Sequence, residues 1–151
     1  MANISDVELL CRGVESWNAL RRDKDFVPVL THLDIRNADL RGVNLSGADF
    51  DGTRMGNVDL RDANLERARL NGVRITRTHL DDACLSGVEC KGADFTRVCL
   101  RNANLNQAIG LDLKIRHGDL TGLRAADAQL EMTHVYNCDL TGADGIGSAV
   151  Q

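Results

Sequence analysis

Aromatic side chains are nearly missing from this sequence: they make up 3% of its 151 residues, and proline occurs once. That is too little aromatic bulk for an ordinary globular core, so the interior has to be built from Leu, Val and Ala. No stretch of about 18 apolar residues occurs. The opening Met1-Ala-Asn-Ile-Ser-Asp-Val-Glu has no basic region followed by an apolar run, so nothing is expected to target or span a membrane. The five cysteines (Cys11, Cys84, Cys90, Cys99, Cys138) form no C-x-x-C pair. An odd number without an export signal suits a reducing compartment, and the cytoplasm is the expected one. Charge of one sign is not in large excess either: the net charge of −4 gives no general preference for nucleic acid or anionic membrane. With no obvious linker, one domain is the default.

Catalytic signatures are absent as well. Ser5, Ser16, Ser46, Ser86 and Ser148 lack any Gly-x-Ser-x-Gly setting, and the glycines sit at regular corners rather than in a phosphate-cradling loop. The expectation is a non-enzymatic protein without a cofactor.

What is present is a period of five. Leu40, Leu45, Phe50, Met55, Leu60, Leu65, Leu70, Ile75, Leu80 and Leu85 recur at that interval, and of the 22 central sites from 35 to 140, 12 are Leu. Two residues before each centre lies a smaller class, including Ala38, Val43, Ala48, Val58, Ala63, Ala68 and Val73. A helix would turn successive centres some 140° apart and scatter them round its axis. A short extended segment instead puts i−2 and i on one side and i−1 on the other. The Gly, Asn and Asp residues that follow then turn a corner. A period of 20 is superimposed, since Leu40, Leu60, Leu80, Leu100, Leu120 and Leu140 share a site, so four pentapeptides make one coil.

Ala-Asp-Leu-Arg-Gly (38–42), Ala-Asn-Leu-Glu-Arg (63–67), Ala-Asp-Phe-Thr-Arg (93–97) and Ala-Asn-Leu-Asn-Gln (103–107) resemble the A-(D/N)-L-x-x motif of the pentapeptide-repeat family. The resemblance covers roughly three-quarters of the chain. It implies an all-β fold: a right-handed quadrilateral parallel β-helix, here with a short N-terminal α-helical cap. The expected divisions are a cap and lead-in over 1–32, a solenoid of five to six coils over 33–145, and a tail over 146–151. At about 4.8 Å per coil the rod is roughly 25–30 Å long.

For the cap, Ser5 and Glu8 have capping-box spacing, and Val7, Leu10, Cys11, Val14 and Trp17 fall on one side of a helix ending near Arg22. Trp17 reads as core covering the first coil. The C-terminal Gly142-Ala-Asp-Gly-Ile-Gly-Ser-Ala-Val-Gln has no helical pattern, which leaves strand edges open. Some members of the family dimerise end to end there, so a homodimer through the C-terminal coil is a further expectation.

Sorting the outward residues by side, modulo 20, separates charges that the net value hides. The side centred on 35, 55, 75, 95, 115 and 135 carries Arg36, Arg54, Arg74, Arg77, Arg97, Lys114 and Arg116 against Asp34 and Asp94, for +5. The side centred on 40 to 140 carries Asp39, Asp59, Asp62, Asp81, Asp82, Asp119 and Asp139 against Arg41, Arg61 and Arg101, for −4. The side centred on 50 to 130 totals −3 and the fourth −1. The vertical Asp39/Asp59 and Asp119/Asp139 pairs read as structural ladders, not acid/base dyads. The most metal-like set is His79, Cys84 and Cys99, with His79 above Cys99 on one side and Cys84 on the adjoining side. Zinc wants four ligands, or three plus water, and no fourth is evident, so no metal is expected. Cys90 and Cys138 point inward.

The function expected from these patterns is a macromolecular interaction or scaffold protein with a protein partner, presenting a rigid charge-patterned surface. The alternative comes from the resemblance: some family members mimic duplex DNA, bind type II topoisomerase and protect it from inhibitors. Such a mimic would use the acidic side, and the +5 stripe counts against it. Direct nucleic-acid binding by the stripe is disfavoured by the flanking acids and the lack of an aromatic row for stacking.

Overall fold

Residues 4–146 are described by a computed structural model. The five-residue rhythm becomes a backbone rhythm: at every fifth position from His32 to Gly142, φ is positive, between 49° and 69°. Of these 23 corners 15 carry a side chain, where the left-handed conformation costs about 1–2 kcal/mol unless Asn or Asp eases it. Stacking of whole coils therefore holds the corners against local preference. Between corners the chain is extended for three residues, and each segment lies in register with the one 20 residues later.

One wall is regular enough to form a six-stranded parallel sheet, in the order β1 (Asp34–Arg36), β2 (Arg54–Gly56), β3 (Arg74–Thr76), β4 (Asp94–Thr96), β6 (Lys114–Arg116), β8 (His134–Tyr136). A second wall contributes β5 (Ile109–Leu111) paired with β7 (Gln129–Glu131). The remaining walls are joined by single bridges such as Asp59↔His79 and Asn64↔Cys84. Backbone bonds run from coil to coil: Leu60 N–H donates to His79 O at 2.7 Å, and Asp59 N–H to Ala38 O at 2.9 Å. The result is a right-handed four-sided β-solenoid of about five turns with a short helical N-terminus.

The interior is the one the period predicts. Leu60, Leu80, Leu100 and Leu120 form one buried column, and Met55, Ile75, Phe95 and Ile115 another. Gly110 is the one glycine at a centre, and its space is taken by neighbours: a Cβ there would come within 3.1 Å of both Cys90 Sγ and Leu130 Cδ2. Thr53, Thr78 and Thr133 occupy smaller-class positions and are buried. Thr53 shows how a hydroxyl is tolerated, donating to Leu30 O at 2.6 Å and accepting from Leu33 N–H at 3.1 Å.

The cap differs from the single helix expected. It is two helices, α1 (Ile4–Cys11) and α2 (Val14–Asp23), broken at Gly13, whose φ of 107° no right-handed helix contains. Ser5 lies inside α1 rather than ahead of it, and its side chain is outside the described residues. α2 supplies the polar groups that a missing upper coil would have supplied. Trp17 Nε1–H donates to Asn44 O at 2.7 Å, and Asn18 donates to Gly42 O at 2.9 Å while accepting from Asn44 N–H at 2.8 Å. Arg21 donates to Ser46 O at 2.7 Å. In α1, Asp6 accepts from Val29 N–H at 2.9 Å. The first coil's backbone is thus occupied at Val29, Gly42, Asn44 and Ser46 rather than left there as a template for another chain.

At the other end Leu130, Cys138 and Leu140 are only half-buried, and Ile146 tucks in at 5% exposure. Gly145 lies flat against Ala125, where a Cβ would sit 2.4 Å from its carbonyl. Of the expected tail 146–151, residues 147–151 lie outside the described residues.

Candidate functional site

The sheet of β1, β2, β3, β4, β6 and β8 is the basic wall. The middle residue of each strand points inward, so its two neighbours must face solvent. That rule places Arg36, Arg54, Arg74, Lys114 and Arg116 on the flat of the wall, with Arg77 and Arg97 at the left-handed corner beside it. Three of the seven are occupied by acids: Arg36 by Asp34 at 2.7 Å, Arg116 by Asp94 at 3.1 Å and Lys114 by Asp112 at 3.3 Å. Among the described residues Arg54, Arg74, Arg77 and Arg97 have no acidic partner within 4.0 Å. Arg54 and Arg74 are register partners, about 4.8 Å apart at the backbone. Arg77 and Arg97 stack likewise one coil apart. Like charges opposed in this way are unfavourable; Asp34 above Arg54 and Asp94 below Arg74 flank the first pair in the same column, and the second pair lies about 10 Å along the wall. Beside the first-column arginines, over Gly56, lies a shallow depression lined by Asp34, Arg36, Arg54, Gly56, Arg74 and Thr76. Its floor is open because Gly56 has no side chain where the strands above and below carry Arg36 and Thr76.

The acidic wall behaves differently. Its i−1 column runs Asp39, Asp59, His79, Cys99, Asp119, Asp139, each in bridge register with the next. Asp39 and Asp59 grip the arginine two residues on, Arg41 at 2.6 Å and Arg61, and Asp119 and Asp139 accept from Thr121 and Thr141 at 2.6 and 2.7 Å. Arg101 takes Asp81 at 2.8 Å and approaches Asp119 at 3.8 Å. Asp82, at a corner, accepts from Asn102 at 3.3 Å, and Asp62 sits at the corner one coil above it. The three arginines are thus matched to Asp39, Asp59 and Asp81, and the net −4 of the wall resides on Asp62, Asp82, Asp119 and Asp139.

These contacts shift the carboxyls. The hydrogen bond from the Arg41 side chain, joined by the Arg41 backbone N–H, lowers Asp39 to about 2. The Arg61 hydrogen bond lowers Asp59, and the Thr141 hydroxyl lowers Asp139. A carboxyl depressed in the folded state stabilises it above the unfolded pKa of about 3.9, and that contribution disappears as pH falls through the folded value. The Asp39 carboxyl carbon should accordingly titrate near pH 2 by NMR. Arg41→Gln should return the midpoint toward the ordinary range and remove part of the loss of melting temperature between pH about 4 and about 2. An unshifted midpoint in the wild type would count against the Asp39–Arg41 geometry.

Of the three expected metal-like residues, the structure brings two together. His79 and Cys99 are neighbours in register, whereas Cys84 bridges Asn64 and Asn104 on the adjoining wall. The third member of the cluster is Asp81: His79, Asp81 and Cys99 each offer a ligand atom within 4.8 Å of the others. In the sequence Asp81 reads as one more acid of the wall. The available signal is the order His79-Leu80-Asp81, which reverses the acid-first order of Asp39-Leu40-Arg41 and Asp59-Leu60-Arg61. Burial, then the nearby Asp81 charge, raises the Cys99 thiol pKa, and burial alone pushes the inward Cys90 up to about 12. All five cysteines are unpaired.

A family profile described as pentapeptide repeats (8 copies) matches residues 38–77, 55–89, 74–109 and 89–124. Among solved structures, the chain is similar to a pentapeptide repeat protein from the Arabidopsis thaliana thylakoid lumen, with 27% identity, a TM-score of 0.63, and 66% of this chain and 69% of that one covered. It is also similar to full-length QnrB1, a plasmid-mediated fluoroquinolone resistance protein, at 15% identity and a TM-score of 0.53, with 76% and 71% covered. That second likeness is one of fold. No curated protein sequence matches the chain significantly.

Proposed function

This chain belongs to the pentapeptide-repeat family, and from that premise we propose that it is a non-enzymatic interaction protein whose basic wall receives an acidic segment of a protein partner. What supports this is a group of arginines without ion-pair partners: among the described residues Arg54, Arg74, Arg77 and Arg97 have no acid within 4.0 Å, whereas Arg41, Arg61 and Arg101 of the neighbouring wall each hold an aspartate. A partner's carboxylates bridging two stacked guanidiniums gain charge-assisted hydrogen bonds that no acid among the described residues supplies to these four arginines. The five free cysteines favour a reducing compartment, which we take to be the cytoplasm. No helix among the described residues is long and apolar enough to cross a membrane.

The test is the binding of a fluorescent poly-glutamate peptide, followed by anisotropy at two salt concentrations. Arg54→Glu, Arg74→Glu and Arg97→Glu combined should weaken it by about ten- to a hundredfold, because each reversal removes an attraction and adds a repulsion of about 0.5–1 kcal/mol. Wild-type binding should itself weaken with salt. Equal affinities for the two proteins would discard the reading.

The DNA-mimic alternative draws on the acidic wall with Asp39, Asp59, Asp62, Asp81, Asp82, Asp119 and Asp139. Arg41, Arg61 and Arg101 weaken it, because a topoisomerase's DNA channel would meet three of these carboxylates, Asp39, Asp59 and Asp81, already held by arginine. In a gyrase supercoiling assay with a fluoroquinolone, no protection is expected; protection at stoichiometric protein would favour the mimic instead.

A further inference from the structure

We infer that His79, Asp81 and Cys99 form a binding site for a zinc-like divalent cation, distinct from the arginine wall and independent of the function proposed above. The 20-residue register sets His79 over Cys99 on one wall, and Asp81, two residues along from His79, closes the triangle. Asp81 is what makes the cluster more than a chance meeting of polar side chains. Its side chain is 7% exposed, and its two oxygens have different fates. Oδ1 is held by Arg101 Nε at 2.8 Å. Oδ2 is buried without a hydrogen-bond partner and looks toward His79 Nδ1 at 3.6 Å. A buried carboxylate oxygen left unsatisfied calls for an explanation, and a cation between it and the imidazole supplies one.

The distances suit a small tetrahedral ion. Zinc bonds of about 2.0–2.2 Å to N and O put those two ligand atoms about 3.4 Å apart, close to the 3.6 Å already present between His79 and Asp81. The 4.8 Å span that includes Cys99 closes by rotation of the thiol and of the half-exposed imidazole. An N, O and S donor set selects zinc or cobalt over calcium and magnesium, which take oxygen. Arg101 acts as the outer partner that orients the ligating carboxylate. Three protein ligands leave the fourth position to water. On ligation the Cys99 thiol proton leaves to solvent.

The full-length reduced protein is titrated with cobalt(II) chloride. One equivalent should produce a thiolate-to-cobalt charge-transfer band in the near ultraviolet, together with the visible bands of a tetrahedral ion, and an equivalent of zinc should bleach both. Cys99→Ser should abolish the charge-transfer band and Cys84→Ser should leave it intact. Asp81→Asn and His79→Gln, which keep shape, should each weaken cobalt binding by at least about tenfold, the lower end for disturbing even an outer-shell partner, with unchanged circular dichroism. Absence of the band in the wild type at saturating cobalt, its persistence in Cys99→Ser, or wild-type affinity in Asp81→Asn would each overturn the site.

Discussion

Trp17→Ala should lower the free energy of unfolding by about 3–5 kcal/mol, the range for truncating a fully buried aromatic. Trp17 is 0% exposed, meets Phe26 edge-on at 5.9 Å between ring centres, and donates its indole N–H to Asn44 O at 2.7 Å. Its loss opens a cavity between α2 and the first coil and leaves that carbonyl without a donor. Because each coil is stabilised chiefly by its neighbours, the damage should spread from the top. Amide exchange should accelerate most in the coil around Val43 to Phe50 and least around Leu100. Trp17→Phe, which keeps most of the apolar contact but removes the donor, should cost about 1 kcal/mol. Chemical denaturation measures both. A loss below about 1 kcal/mol for the alanine variant would mean that the helices ornament the rod rather than close it.

The second large effect is positional. Leu80→Ala should cost about 2–5 kcal/mol, since Leu80 is 0% exposed with Leu60 above it and Leu100 below. The same change at Leu140, chemically equivalent and in the same column, should cost much less, because Leu140 is only half-buried. A reader of the repeat alone would assign the two leucines equal weight. Similar losses at both positions would contradict the picture of stability as a sum over neighbouring coils.

The column of leucines was legible because a period of five has one backbone solution with all centres inside, and the walls because 20 residues close one coil. Arg54 and Arg74 could therefore be placed side by side by counting. The pairing of charges could not. Whether Asp39 is free or gripped depends on the reach of Arg41 across a three-residue strand, and the count treats both simply as members of a wall. The helix break at Gly13 was hidden for a related reason: Val7, Leu10, Cys11, Val14 and Trp17 keep helical spacing across it, so the apolar stripe gives no sign of the interruption. Asp81 does not stand out in the sequence as a neighbour of His79 and Cys99, because by position it is one more acid of the wall. Its burial follows from its contact with Arg101 on the next coil, a tertiary fact beyond any local pattern.

The unbroken pitch also restricts how such a molecule can change its length. Removal of a single residue would turn interior side chains outward for the rest of the rod. Loss of one pentapeptide would preserve the interior but rotate everything downstream by a quarter turn, sliding aspartates beneath arginines and dissolving both charged walls. Only insertions or deletions of whole turns leave every vertical neighbour in place, so a lineage that keeps its surface pattern is constrained to grow or shrink in steps of twenty.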